Sequence, residues 1–195
     1  MRGLLAALHA ARDFDEAYRI LGHRYVVDAR GDLSGMPAGA FSLVVSATVL
    51  EHIPRDIVRR SIAQTFRLLR PGGHCAHGID LGDHLAYYDP AIHCLKNYLR
   101  YSDRTWRLVF DNDIQYINRI RPAEWLSIFR DAGFEPLKQH RNTIDLTGVP
   151  IAEPFRGCAT DDLACSTLFV VHRKPVRAAA ATPHVEAALV DAPPV

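Results

Sequence analysis

The sequence predicts an α/β fold, in which helices pack against a mostly parallel sheet. In the middle of the chain, segments typical of strands alternate with loops and with a segment of helical spacing. One of these strands is a nearly continuous apolar run, the pattern of a strand buried on both faces of a parallel sheet. The 195 residues with 48% hydrophobic content suit a single domain with a core of ordinary size.

The first half of the chain contains the segments that support this prediction most clearly. Residues 2–20 carry apolar groups at helical spacing, and Gly22 closes the pattern. Residues 24–28 form a short β-branched run, and residues 41–47 form the continuous apolar strand. Residues 55–70 follow Pro54 and predict an amphipathic helix, with arginines opposite its apolar stripe and Pro71-Gly72-Gly73 as its stop.

The second half predicts further helices and strands, and then a tail with little to pack. The helix at 122–132 has Pro in its first turn and Gly133 as its C-cap. The other predicted elements are a strand at 74–81, a short helix at 90–101, and closing strands at 134–144 and 165–174. The Ala/Pro/Val-rich tail from residue 175 to 195 is predicted to be disordered.

Charge and cysteine usage narrow the class of protein. The net charge is +1, from 23 basic and 22 acidic residues, so we expect neither nucleic acid nor membrane as a partner. The four cysteines form no C-x-x-C pair, which favours reduced thiols in the cytoplasm. No apolar run approaches the roughly 18 residues of a membrane span. These features predict a cytoplasmic protein and leave its oligomeric state open.

Four motifs follow one another in the first half of the chain. They are Val27-Asp28-Ala29, Met36 to Val44, Val49-Leu50-Glu51-His52-Ile53, and Arg67 to Gly73. In this order and at this spacing they resemble the motifs of class I S-adenosylmethionine-dependent methyltransferases. The passage from Arg121 to Phe134 is similar to the last helix-to-strand turn of that family, so the resemblance covers about residues 20–174.

The resemblance implies a fold and an activity. The fold is a partial Rossmann-like doubly wound sheet with a C-terminal antiparallel hairpin, within a domain at 1–174. The implied activity is methyl transfer from S-adenosylmethionine to a small-molecule or glycan-type acceptor. A non-catalytic methyltransferase-like subunit, serving as a binding module or scaffold, is the alternative. A metal-dependent hydrolase is a more distant one.

The family's first motif, a strand that ends in a Gly-x-Gly-x-Gly turn around the cofactor, is absent from this sequence. The N-terminal glycines, Gly3 and Gly22, are isolated. We interpret the chain as N-terminally truncated, without the first two strands of the family's sheet. We therefore expect the isolated chain to bind S-adenosylmethionine poorly.

By resemblance, two loops supply the remaining cofactor contacts. The Asp28 carboxylate would accept a hydrogen bond from the adenine amino group, and the Ala29 backbone would bond a ring nitrogen. Ser46, Ala47 and Leu50 would line the neighbouring strand end, near the methionine half of the cofactor. Two simpler roles stay open: Asp28 as a loop cap, and Leu50 as a core residue.

Candidate catalytic groups follow the strand at 74–81. Asp80, Asp83 and His84, with His77 upstream, place histidines and carboxylates where a general base would serve an acceptor hydroxyl. We take Asp83, His84 and the motif residue His52 as catalytic candidates and Asp80 as a substrate contact. Asp83 as a helix cap and His52 as a plain turn residue are the alternatives. The H-x-x-D-x-x-D-H spacing fits no established metal signature, so no metal site is predicted.

Residues 97–121 form an insertion rich in aromatic and basic side chains. Aromatic rings and guanidinium groups could cap a sugar or bind a carboxylate or phosphate of the acceptor. They could equally form a lid that packs on the sheet, with its arginines in solvent. The candidate substrate contacts are Tyr116, Asn118, Arg119 and Arg121.

Overall fold

The computed structural model describes residues 2–28, 31–89, 92, 94–112 and 116–176. The chain divides into two compact units, one from Met1 to Met36 and one from Pro37 onward. No helix of the described residues is both long enough and apolar enough to cross a membrane.

The first unit contains two helices where the sequence predicts continuous helical spacing at 2–20. These are α1, Arg2–His9, and α2, Phe14–Ile20. The break arises because Asp13 caps α2, its carboxylate accepting a hydrogen bond of 2.8 Å from the Glu16 backbone amide.

The strand predicted at 24–28 is wrong, since these residues lie in no regular element and are exposed. Within this unit Tyr25 stacks on Tyr18 of α2, with ring centroids 5.6 Å apart. The described residues of the unit contain no strand with which the run could pair. A β-branched run without a ladder partner leaves its backbone groups to water, and the structure shows these residues exposed and outside any strand.

The second unit is built on a mixed sheet of four strands in the order β1-β2-β4-β3. The strands are β1, Phe41–Ala47; β2, Leu69–Asp80; β3, Glu135–Thr143; and β4, Cys165–Arg173. β1 runs parallel to β2, and β4 runs antiparallel to both β2 and β3. This arrangement confirms the predicted α/β class and the predicted C-terminal antiparallel pair.

The helices of the second unit agree with the sequence in the best-patterned segments. The predicted helices at 55–70 and 122–132 are found as α3, Val58–Leu68, and α5, Pro122–Asp131. Two shorter helices are α4, Asp103–Val109, and α6, Thr160–Ala164. Short 3₁₀ turns occupy Leu50–His52, His84–Tyr87, Asn97–Arg100 and Glu153–Phe155.

Two predictions for the second half are tested only in part. The helix predicted at 90–101 is represented by the 3₁₀ turn at Asn97–Arg100, and residues 90, 91 and 93 lie outside the described residues. The tail predicted from residue 175 lies outside them from residue 177 onward.

The position of β1 differs from the prediction. The apolar run at 41–47 predicts burial on both faces, but Leu43 is 54% exposed and Val45 is 65% exposed. Among the described strands β1 lies at the edge of the sheet, with β2 as its single neighbour. The run therefore forms the predicted strand without the predicted burial.

Two hydrophobic clusters hold the second unit together. The main core lies where α3 and α5 meet β2 and β4, and its largest side chains are Trp125 and Phe129. Tyr98 and Trp106 belong to a second cluster together with Phe155. The aromatic residues of the insertion at 97–121 thus contribute a packed core of their own.

Candidate functional site

The loops that follow the two parallel strands β1 and β2 meet at the same end of the sheet, beyond the carboxyl ends of these strands. β1 ends at Ala47, and the chain then passes through Thr48, at φ 51°, into the 3₁₀ turn at Leu50–His52. β2 ends at Asp80 and leads into the turn at His84–Tyr87. A β-branched residue in the left-handed region is strained, and strained backbone conformations cluster at active sites and ligand-binding sites.

Glu51, His52 and His84 converge between these two loops. Each can offer one ligand atom, and the three atoms all lie within 4.8 Å of one another. The two imidazole rings are in contact, with centroids 4.9 Å apart and planes inclined by 57°. Sequence reasoning paired His52 and His84 as catalytic candidates, and the structure brings them together.

One nitrogen of His52 is fixed by the backbone. His52 Nδ1 lies 2.8 Å from the carbonyl oxygen of Tyr116. A carbonyl oxygen can only accept, so Nδ1 carries the proton and the lone pair of the neutral ring is on Nε2. The side chain is exposed, and Nε2 can therefore act as a base or a ligand from the surface of the unit.

Glu51 is the most unusual residue of the cluster. It is only 1% exposed, and among the described residues neither carboxylate oxygen has a hydrogen-bond partner within 3.5 Å. Burial raises the pKa of this carboxyl group above its usual range, although the backbone amides of Glu51 and Asp80 act to lower its pKa. A buried carboxylate without partners is costly, so its presence points to a proton or a cation that satisfies it.

Asp80 orients His84 from the end of β2. Asp80 Oδ1 accepts a bond of 2.7 Å from the Gly82 amide, and Oδ2 accepts one of 3.0 Å from the Tyr87 hydroxyl. His84 Nε2 lies 3.5 Å from Asp80 Oδ2, and this contact raises the pKa of His84. Burial would raise the pKa of Asp80, but these bonds outweigh it and lower that pKa.

Asp83 is fully buried and caps the turn that carries His84. Its Oδ1 accepts a bond of 3.0 Å from the Leu85 amide. Burial raises the pKa of this carboxyl group. With 0% of its surface exposed, Asp83 has no route to an acceptor in this conformation. The geometry therefore favours the capping role, which the sequence left open beside a catalytic one.

The predicted cofactor positions at the end of β1 are only partly available. The Ser46 hydroxyl is engaged at 2.8 Å with Nδ1 of His77, and Leu50 lies in the main core. Ala47 is exposed beside them.

The other predicted cofactor residues belong to the first unit. Asp28 is exposed and lies in no helix or strand, and Ala29 lies outside the described residues.

Asn118 holds the loop that carries Glu51 and His52. Its Nδ2 donates to the carbonyl oxygens of Leu50 at 2.9 Å and Ile53 at 3.1 Å. Its backbone amide donates to the Glu51 carbonyl at 2.8 Å, and its Oδ1 accepts from the Ile120 amide at 3.1 Å. Most of the amide's bonding capacity is used, so Asn118 acts as a positioning residue.

The predicted substrate contact Tyr116 supports the same loop. Besides its backbone bond to His52, its hydroxyl accepts a bond of 3.1 Å from the Arg55 amide. Tyr116 is half-buried, and its side chain lines an open cleft beside His52.

The two arginines of the insertion are anchored in packed surroundings. Arg119 Nη2 lies 2.8 Å from Asp103 and its guanidinium stacks over Trp106, while its buried Nη1 has no partner. The Arg121 guanidinium lies over the ring of Phe155 at 5.5 Å. Both guanidinium groups are held by packing and ion pairs, so the structure supports neither the solvated arginines of the lid interpretation nor arginines free to bind an acceptor.

Two spaces adjoin the cluster. An open cleft of about 490 Å³ borders His52 on the outside, a size within the range of small-molecule sites. A cavity of about 10 Å³ lies inside, between Glu51, Asp80 and Arg119, with room for roughly one water-sized particle. The cleft is lined by His52, Pro54, Arg107, Asp111, Asn112 and Tyr116.

Sequence reasoning missed Glu51 and the polar cleft residues on α4 and after it. Glu51 stands next to His52 in the motif that carried the family resemblance, so the motif located it without giving it a role. The burial of its carboxylate depends on the packing of the two loops and has no signal in the sequence.

Comparisons with known proteins bear on the family of the chain. A profile described as a methyltransferase domain matches residues 8–139. No curated protein sequence matches the chain.

Several solved structures that are similar to the chain are described as methyltransferases. One is a putative methyltransferase from Bacillus halodurans, with 15% identity and a TM-score of 0.45 over 80% of this chain and 79% of that chain. A second is a S-adenosylmethionine-dependent methyltransferase from Methanosarcina mazei, with 17% identity and a TM-score of 0.49 over 79% and 68%. A third is the Burkholderia thailandensis 1,6-didemethyltoxoflavin-N1-methyltransferase with bound S-adenosylhomocysteine. It has 17% identity and a TM-score of 0.48 over 86% of this chain and 59% of that chain.

Proposed function

Because the chain belongs to the methyltransferase domain family, whose profile covers more than half of it, we propose that it transfers the methyl group of S-adenosylmethionine to a hydroxyl of a small-molecule or glycan-type acceptor. The cluster of Glu51, His52 and His84 marks the acceptor side of the site. The observation that carries the proposal is the fixed tautomer of His52, whose Nε2 lone pair is available at the rim of the cleft.

The cleft suits a polar acceptor of modest size. Its volume of about 490 Å³ is large enough for a sugar or a small ring system. Arg107, Asp111 and Tyr116 supply a cation, an anion and an aromatic ring around it. Such a mixture is typical of sites that orient several hydroxyl groups at once. Nucleic acid fits less well, because the net charge of +1 offers no extended basic surface.

The chain's own residues position the acceptor and receive its proton. S-adenosylmethionine, when bound, supplies an electrophilic methyl group. His52 Nε2 would accept the hydroxyl proton of the acceptor as its oxygen takes up the methyl group, with S-adenosylhomocysteine as the leaving group. The Tyr116 carbonyl holds Nδ1–H and stabilises the resulting imidazolium. His84, held by Asp80, lies against the same ring.

The test measures S-adenosylhomocysteine formed by the purified 195-residue chain at millimolar S-adenosylmethionine. The cofactor concentration is high because the predicted cofactor positions are incomplete and weak cofactor binding is expected. A panel of nucleotide sugars and small phenols serves as acceptors. We expect acceptor-dependent turnover that falls about 10²–10⁴-fold in His52→Gln, the usual contribution of a general base.

The matched control is His140→Gln, which alters an exposed histidine on β3. It is expected to leave turnover unchanged. Equal turnover by His52→Gln and the original chain would contradict the assigned role of His52, and turnover with no acceptor requirement would contradict the acceptor class.

A second candidate function, a non-catalytic methyltransferase-like binding subunit, is favoured by the state of β1. The exposed Leu43 and Val45, and the engagement of Ser46 by His77, leave the cofactor side of this strand open. Calorimetric titration with S-adenosylmethionine separates the two functions. Binding of any measurable strength supports methyl transfer, while no heat at millimolar cofactor supports the binding subunit.

A further inference from the structure

We propose that Glu51, His52 and His84 form a binding site for a divalent transition-metal cation beside the acceptor cleft. The proposal rests on three independent features of the cluster. Its candidate ligand atoms converge, the Tyr116 carbonyl and the Asp80 carboxylate orient its two histidines, and its buried carboxylate has no hydrogen-bond partner among the described residues.

The donor set matches known preferences of such cations. Two imidazoles and one carboxylate bind zinc in catalytic sites and also bind iron(II) and related ions. The three candidate donor atoms lie within 4.8 Å of one another, a separation that one ion at ordinary bond lengths of about 2.0–2.2 Å can bridge after small side-chain movements. Both loops that carry them are fixed at their origins by paired strands β1 and β2.

Both histidines have the outer partners that metal-binding histidines usually have. A ligating imidazole commonly donates its second N–H to a backbone carbonyl or a carboxylate, which fixes the ring and its tautomer. His52 Nδ1 donates to the Tyr116 carbonyl at 2.8 Å. His84 Nε2 faces the Asp80 carboxylate at 3.5 Å. With these nitrogens as donors, the lone pairs are on His52 Nε2 and His84 Nδ1.

The Glu51 carboxylate supplies the independent evidence for a ligand. It is 1% exposed, and within the part of the chain that the structure describes neither of its oxygens has a hydrogen-bond partner within 3.5 Å. A cation would satisfy it directly. On the inner side Arg119 lines the same small cavity, and its buried Nη1 has no hydrogen-bond partner among the described residues. A water molecule there can bridge Arg119 and Glu51, but it leaves the two histidines unexplained.

The role of the ion rests on the proposed function, although its binding does not. An acceptor hydroxyl that coordinates the cation has a lowered pKa and loses its proton to solvent more readily. The oxygen then attacks the methyl carbon as the carbon–sulfur bond breaks. In this form His52 is a ligand and not the base, because one lone pair cannot bind both a proton and a metal ion.

The experiment titrates the metal-free chain with Co²⁺ and with Zn²⁺, in the absence of cofactor and acceptor. Visible absorption reports the coordination of Co²⁺, and calorimetry gives the stoichiometry and affinity for Zn²⁺. We expect one tight site per chain. Glu51→Gln and His52→Gln should each weaken it at least about tenfold, and Mg²⁺ should compete poorly because imidazole ligands disfavour it.

His140→Gln is the control for adventitious binding by exposed histidines and should bind as the original chain does. Because Glu51 is buried, the exposed His52 variant keeps the test valid if Glu51→Gln unfolds. Unchanged affinity in His52→Gln, or no stoichiometric binding by the original chain, would overturn the site. Turnover that persists with a chelator, in a chain that binds no metal, would uphold the proposed function while overturning this inference.

Discussion

The buried histidine at the centre of the sheet makes the protein sensitive to acid. His77 is 5% exposed, its Nδ1 is 2.8 Å from the Ser46 hydroxyl, and its ring stacks on Phe129 with centroids 5.6 Å apart. Burial, with a further contribution from the nearby His172, lowers the pKa of His77 from 6.5 to about 4. The folded chain therefore keeps this ring neutral at a pH where the unfolded chain has already bound a proton.

The sign and size of the effect follow from this difference in pKa. Between pH 6.5 and about 4 the unfolded chain binds one more proton at this residue. The free energy of unfolding therefore decreases by about 1.4 kcal/mol for each unit by which the pH is lowered. Acidification from about pH 7 to about pH 5 should then cost about 2 kcal/mol from His77 alone. Burial also lowers the pKa of His172, which adds to the loss.

The assay compares urea unfolding at the two pH values, followed by the fluorescence of the buried Trp106 and Trp125. The variant His77→Phe keeps a ring against Phe129 but cannot titrate, and its loss of stability on acidification should be about 2 kcal/mol smaller. His140→Gln should keep the full acid dependence. If the original chain and His77→Phe lose the same free energy, the neutral state assigned to His77 is refuted.

Three further predictions concern stability. Asn118→Ala removes the bonds that hold the loop carrying Glu51 and His52, and it should lower the free energy of unfolding by about 1–3 kcal/mol; unchanged urea unfolding would contradict its positioning role. Gly133→Ala places a Cβ 3.3 Å from the Phe66 ring at φ +95°, and should cost about 1–2 kcal/mol in the same assay, whereas a gain would show that this turn relaxes. Trp125→Ala should cost about 3–5 kcal/mol, measurable by circular dichroism on heating, and a loss below 1 kcal/mol would argue against its place in the core.

The sequence predicted the fold best for the helices of the second unit, whose apolar spacing and terminal residues are local signals. The stripe on α3, and Pro122 and Gly133 at the two ends of α5, depend on local geometry, and both helices are found. The predicted stop of α3 at Pro71-Gly72-Gly73 is wrong, because α3 ends at Leu68 and those residues belong to β2. The strand at 24–28 failed because β-branched composition indicates a tendency to pair, while pairing needs a neighbour that composition cannot supply. The burial of β1 failed for the same reason.

The candidate site was predicted in its location but not in its chemistry. Parallel strands that end at one edge imply that the loops after β1 and β2 meet, and this places His52 beside His84. The burial of Glu51 depends on how its loop packs against residues 98 and 117–120, which are far away in the sequence. Which nitrogen of His52 carries the lone pair likewise depends on the carbonyl group of Tyr116, 64 residues away in the sequence.

The measurement that tests the central claim most directly is the fate of a ¹³C-labelled methyl group. The purified chain is incubated with S-adenosylmethionine labelled at that carbon and with the acceptor panel, and the products are identified by NMR and mass spectrometry. The account predicts a methyl ether on an acceptor hydroxyl, formed by the original chain and His140→Gln and strongly reduced in His52→Gln. A methyl group attached to nitrogen or carbon, or a methyl ether formed equally well by His52→Gln, would contradict it.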